Sequence, residues 1–398
     1  MQARADHALR ARYLRLSVSR CASAGVESFI VSVVVSSGRN DAEPAAGQPA
    51  TSQSGFLREL HAFRGLAILS VVASHAFGGY LYNLRAMRPF DTAENAYYAV
   101  HEILWHGSTI YFALISGILF TRVLAGRGWT RFYRNKFTNV LLPYLVMSLF
   151  FLVVRYNVDT GLAIGAQFSF HRLAGQLAGG NAMFPYWYMP VLACLFLLTP
   201  VLSAVVRRST GLTVLLACLP FAFSRTGNIP SFQSIGYFTG VYVAGLAIGL
   251  HYEAVLAWTS RHMRLLAGVA TAASLVLLSS YILEWDRMGG VSQRESLYYI
   301  QKMALSGIAI VLLQRWMAKG GRLFDELATY SFTIYLIHAF LLAVLLHYAF
   351  RLHRAPVPLE VVIPMTLVLF VLLMGLSLLV SMGLKRLTGT RSRILVGT

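Results

Sequence analysis

Histidine carries an imidazole that, when neutral, can take a proton from a hydroxyl near neutral pH. Two histidines of this chain, His75 and His338, stand in strongly apolar stretches. Ionisable groups are costly in such surroundings and mark functional sites by default. The first stretch runs from His61 through Arg64 to His75. The spacing of Arg64 and His75 returns on a helix to within about 20° of the same face, with a rise of about 16 Å. One helix would then carry a fixed cation near a membrane surface and an imidazole deeper in. That arrangement suits an anionic ligand held at the surface and a reaction completed at depth. The competing structural reading makes Arg64 a cation snorkelling to headgroups and His75 a hydrogen-bonded packing residue.

Around His338 the chain reads Tyr330-Ser-Phe-Thr-Ile-Tyr335-Leu-Ile-His338. Ser331, Tyr335 and His338 share one helical face. Two imidazoles at middle depth on different helices could meet across a cavity, and each has polar neighbours that favour a site. His106 falls near the outer end of its apolar stretch, as a loop histidine or one facing a substrate. Ser116 and Gly117 allow close helix approach. Between Arg122 and Pro143 five bases, among them Arg131, Arg134 and Lys136, alternate with Trp129, Phe132 and Tyr133. Such a segment either anchors to anionic lipid or holds phosphates of a nucleotide-bearing ligand.

The elements that must position these groups follow from composition. Of 398 residues 57% are apolar and 13% charged, with mean hydropathy +0.60; soluble domains are about a quarter charged. The expected fold is an all-α integral membrane protein, because a lipid-exposed backbone must bond within its own segment. Stretches of about 20 apolar residues occur at 61–82, 102–122, 137–155, 186–206, 212–225, 235–252, 263–283, 298–316, 327–350 and 360–384. The fifth is short and contains Pro220. A bundle of about ten transmembrane helices with both termini cytoplasmic puts 23 bases on inside segments and ten outside, as positive residues prefer.

The net charge of +18 is spread over these short loops, without the compact basic patch that nucleic-acid binding needs. Cys21, Cys194 and Cys218 have neither metal-ligand nor disulfide-framework spacing, and no metal is expected. Residues 1–55 are rich in Arg, then in Ser, Ala and Gly, and read as a disordered tail or the product of an upstream start. The run Phe29–Val35 behind basic residues gives a signal peptide only in outline. Residues 391–398 form a short C-terminal tail.

The motifs resemble the acyltransferase-3 membrane proteins, which O-acylate polysaccharides and other extracytoplasmic acceptors. LRELHAFRGLAILSVVASH is similar to that family's opening stretch, in which an Arg or Lys precedes a His as Arg64 precedes His75. FALISGILF, YRNKFTNVLLPYLVMS, YWYMPVLACLFLLTP and YSFTIYLIH resemble its later elements, in the same order. Asn139 and Met189 depart from the usual pattern. The resemblance covers about 56–390 as a transmembrane acyltransferase domain, of a stand-alone member without a fused esterase-like domain.

The resemblance implies transfer of an acyl group, usually acetyl, from cytoplasmic acetyl-CoA or another acyl-CoA to a hydroxyl of an extracytoplasmic polysaccharide or glycoside, at a bacterial inner membrane. No bound cofactor is implied; acyl-CoA is a substrate. Arg64, with Arg131, Arg134 or Lys136, would hold the anionic part of CoA. His75 would act as general base or carry the acyl group, and His338 and Tyr335 would orient the acceptor or the oxyanion. A polytopic transporter or exporter of a lipid-linked saccharide is the alternative from another class; it accounts for buried charge but not for five ordered motifs. A histidine-based membrane acyltransferase of another family, or a purely structural membrane protein, accounts for still less.

Overall fold

In the computed structural model, residues 57–397 are described apart from 161–169, 226–229, 289–290, 319–322 and 353–357. The expected tail 1–55 lies outside the described residues. The chain forms α1 (Arg58–Met87), α2 (Thr92–Trp105), α3 (Thr109–Leu119), α4 (Trp129–Lys136), α5 (Leu142–Thr160) and α6 (Phe170–Gly179). There follow α7 (Tyr188–Arg208), α8 (Thr210–Ala217), α9 (Phe232–Leu250), α10 (Tyr252–Arg261) and α11 (Met263–Ile282). The last are α12 (Gln293–Ala318), α13 (Leu323–Leu352), α14 (Leu359–Thr388) and α15 (Ser392–Leu395). The strand pair β1 (Arg287–Met288) and β2 (Val291–Ser292) is antiparallel and closes the turn between α11 and α12.

Among the described residues nine helical stretches are long and apolar enough to cross a membrane. The fifth expected span is instead a short apolar helix, Thr210–Phe221. Its brevity follows from Pro220, which has no N–H for the helical ladder: α8 stops at Ala217 and the chain ends in one 3-10 turn, Leu219–Phe221. The second expected span starts earlier than its hydropathy suggests. Asp91 and Glu94 form a reciprocal capping box that begins α2 at Thr92. Gly107, at φ 74°, then breaks the helix before α3, a conformation that glycine adopts without a Cβ clash.

α1 and α13 run in the same direction, side by side. Arg58 pairs with Asp325, Arg64 with Ser331 and His75 with His338, and Gly79 lies against Leu342. Parallel neighbours in a membrane need an odd number of crossings between them. Among the described residues six long stretches separate these two, an even number, and the short apolar helix Thr210–Phe221 is the further element between them. Among the described residues nine stretches are therefore long enough to cross where ten were expected, the tenth being this short helix. The C-terminal segment folds back on the bundle, where the Val396 carbonyl accepts a hydrogen bond from Thr333 at 2.7 Å.

Small residues set the helix spacing, since lipid offers no hydrophobic drive to association and van der Waals contact must supply it. A Cβ at Gly65 would stand 2.2 Å from the Phe324 carbonyl oxygen, and one at Gly117 2.4 Å from that of Tyr242. Gly65→Ala should therefore wedge α1 from α13 and cost about 1–3 kcal/mol, as overpacking does. Thermal unfolding in detergent should show the loss for Gly65→Ala and little change for Gly375→Ala, where nothing lies within 4 Å. Equal melting temperatures for both variants would contradict this packing.

Candidate active site

Near the start of α1, Arg64 donates through Nη2 to Ser331 Oγ at 3.1 Å, and Ser331 Oγ in turn donates to the Ala328 carbonyl at 2.9 Å. Lys136 ends α4 with its ammonium 4.3 Å from the centre of the Phe196 ring, close enough to Arg64 for the two charges to interact. Neither forms an ion pair with a carboxylate among the described residues; the ion pairs engage Arg58, Arg88, Arg122 and Arg225 instead. Two cations drawn inward without a counter-charge are unfavourable, and an anionic ligand would relieve them. Arg131 and Arg134 lie exposed on the same short helix. α4 is set off by π-helical turns at Phe120–Leu124 and Phe137–Leu141, irregularities common at functional sites.

Three turns further along α1, His75 Nδ1 and His338 Nε2 are 2.8 Å apart, with the rings nearly parallel. The proton positions follow from what lies behind. His338 Nδ1 is 3.0 Å from the Ile334 carbonyl, which can only accept, so that nitrogen carries the proton. In neutral His338, Nε2 is then bare and accepts, and His75 Nδ1 must be the donor. The chain of bonds leaves the lone pair of His75 on Nε2, where no group among the described residues engages it. His338 is fully buried whereas His75 is only partly so. His338 thus stands on the buried side of His75, with its Nε2 turned toward the His75 ring.

Tyr335 shares the face of His338, as its spacing predicts, with ring centres 6.0 Å apart. Its hydroxyl, however, donates to the Pro185 carbonyl, and Tyr186 returns a bond to the Leu336 carbonyl at 2.5 Å. The two tyrosines pin the turn Phe184–Trp187 onto α13. That turn sets Phe184 edge-on to His75 at 5.5 Å. Tyr335 thus shapes the wall beside His75, with its hydroxyl proton committed to the Pro185 carbonyl.

Beyond His75, the break at Gly107 gathers groups that spacing did not bring together. His106 lies between two acids, with Nδ1 2.8 Å from Glu102 and Nε2 3.0 Å from Glu295. Arg225 reaches Glu295 at 3.2 Å. Lys302, counted with the outside bases although it falls in the expected span 298–316, is fully buried in α12 and donates to the Leu104 carbonyl at 2.8 Å. Gln301 reaches the Ile103 carbonyl at 3.2 Å. Together they cap the C-terminus of α2, where unpaired carbonyls attract a cation. Arg225, also counted among the outside bases, and His106 belong to this interior network. The sequence signal for it was the pair of acids, Glu102 and Glu295, in or beside apolar runs.

A family model decides what kind of protein this bundle is. The model of the acyltransferase-3 acyltransferase domain matches residues 57–386. The chain belongs to the acyltransferase-3 family. No curated protein and no solved structure matches it. It is a multi-pass membrane acyltransferase, and Arg64, His75 and His338 lie inside the matched region.

Within this acyltransferase a cavity of about 620 Å³ lies apart from His75 and His338, beside the short α8; it is lined mainly by apolar groups such as Val214, Ala217, Leu266 and Met303. Its apolar lining suits hydrocarbon, and it does not locate the chemistry. In protein carrying ¹⁵N-histidine, NMR should find His75 protonated at Nδ1 and bare at Nε2. His338→Phe should release that preference; a His75 ring unchanged in the variant would refute the bonding order.

Proposed function

We propose that this acyltransferase moves an acyl group, acetyl by default, from cytoplasmic acyl-CoA to a hydroxyl of an extracytoplasmic carbohydrate. The observation that carries the reading is the bare, partly accessible Nε2 of His75, fixed by His338 and the Ile334 carbonyl. A base so oriented can take the proton of an acceptor hydroxyl. The oxygen attacks the thioester carbonyl, and the tetrahedral intermediate expels the CoA thiolate. His75 returns its proton to that thiolate, giving the ester and the free thiol with no proton gained or lost. His338 accepts from His75 Nδ1 throughout and steadies the imidazolium between the two transfers, a part filled by a carboxylate in hydrolytic triads.

Arg64 and Lys136, assisted by Arg131 and Arg134, are placed to hold the CoA phosphates at the end of α1 away from the acceptor. Both bases that converge there lack an acidic partner among the described residues. The excess of bases on the segments expected inside supports putting this end in the cytoplasm of a bacterial inner membrane. Acyl-CoA is then a substrate that enters and leaves, and the bilayer and the carbohydrate are the other partners.

Membrane vesicles given acetyl-labelled CoA and a glycan acceptor should release CoA thiol and gain base-labile label on carbohydrate. His75→Ala should lower transfer by about 10²–10⁴-fold at equal membrane abundance, the span of general-base catalysis. Arg64→Ala should raise the KM for acyl-CoA by about tenfold or more, the loss of one charge-assisted contact. Undiminished transfer in His75→Ala would remove that residue from the mechanism. Glycan movement without thiol release would point to the exporter alternative.

A further inference from the structure

The network beyond His75 is more than a brace for the break at Gly107. Tyr82 falls within about 20° of His75 on the α1 face and about 10 Å further along, so Arg64, His75 and Tyr82 follow one line. The Tyr82 hydroxyl donates to Glu102 Oε1 at 2.9 Å and receives a bond from Tyr98 at 3.3 Å. Tyr281 reaches the other Glu102 oxygen at 3.3 Å and exchanges a bond with Tyr298 at 2.9 Å. Glu102 and Glu295 are 3% and 7% exposed, whereas Tyr82 is 49% exposed, so the acids lie behind a more exposed tyrosine.

Among the described residues, two acceptor oxygens in this network have no hydrogen-bond partner. Glu295 Oε2 and Gln301 Oε1 are buried without a hydrogen bond, a state that costs free energy until a donor arrives. The network also touches the helix that bears the base. His101 donates from Nε2 to the Ser74 carbonyl at 3.2 Å, next to His75. That approach is allowed by Gly78, where a Cβ would come within 3.1 Å of the His101 ring. Carboxylates that accept from hydroxyls, tyrosines that both donate and accept, and aromatic faces beside them are the donor set of a polyhydroxylated ligand.

We infer that Glu102, rimmed by Tyr82, Tyr98 and Tyr281 and backed by Glu295, holds the carbohydrate acceptor with one hydroxyl presented to His75. Glu102 accepts from sugar hydroxyls in place of Tyr82, and the freed Tyr82 hydroxyl bonds a sugar oxygen. The inference rests on the acyl-transfer reading for the identity of the ligand as acceptor, while the binding itself is independent of catalysis.

The test uses the full chain in nanodiscs with methyl glycosides of glucose, rhamnose and N-acetylglucosamine as probes, read by saturation-transfer NMR, and CoA binding read by calorimetry. Wild type should transfer saturation to at least one glycoside. Glu102→Gln and Tyr82→Phe should each weaken that binding by about tenfold, the effect of losing one good hydrogen bond, and leave CoA affinity unchanged. Tyr82→Phe removes only a hydroxyl from a half-exposed ring and keeps the fold should Glu102→Gln impair it. Glycoside binding undisturbed by Tyr82→Phe, or absent from wild type that binds CoA, would overturn the inference. Glycoside binding without any CoA binding would instead overturn the acyl-CoA reading and leave this site in place.

Discussion

The hydrogen bond between His75 and His338 is the constraint around which this membrane domain is arranged. It exists only because α1 and α13 lie parallel and close, and that approach depends on Gly65 seated against the Phe324 carbonyl. A carboxylate behind the base would orient it equally well. It would also put a charge in the apolar middle of the bundle, where an unpaired ion is strongly disfavoured. A neutral imidazole anchored to the Ile334 carbonyl conveys the same orientation without that charge. The arrangement uses one backbone oxygen to define the tautomer of a ring two bonds away.

Charge is divided unevenly on the two sides of this dyad. On the Arg64 side, Arg64 and Lys136 face no acid among the described residues and interact instead with a hydroxyl and an aromatic ring. On the far side, Glu102 and Glu295 are matched by His106 and Arg225, while Lys302 meets the carbonyl end of α2. The charges of the far cluster offset one another, whereas the Arg64 and Lys136 pair would gain from a group that supplies negative charge. The asymmetry gives the domain one end suited to an anion and another suited to neutral hydroxyls.

Much of this was legible in the residues. Hydropathy gave the helical membrane bundle because lipid leaves the backbone no alternative, and helical period put Arg64 and His75 on one face. The meeting of His75 with His338 was foreseeable from depth alone. What stayed hidden depended on tertiary partners. Tyr335 shares the expected face, but its hydroxyl goes to Pro185, a carbonyl that no periodicity reveals. The break at Gly107 lies inside an apolar run, so hydropathy reads through it. Lys302 and Arg225 look like loop bases until α2 and Glu295 are brought beside them.

The parallel pairing of α1 with α13 also bears on biogenesis. Arg64 and His75 come from the first fifth of the chain, whereas the histidine that sets the tautomer of His75 is translated 263 residues after it. A nascent chain inserting helix by helix carries the base for most of its synthesis without the partner that aims it. The two rings meet only when α13 lies beside α1, so their pairing belongs to the last stage of the bundle's assembly.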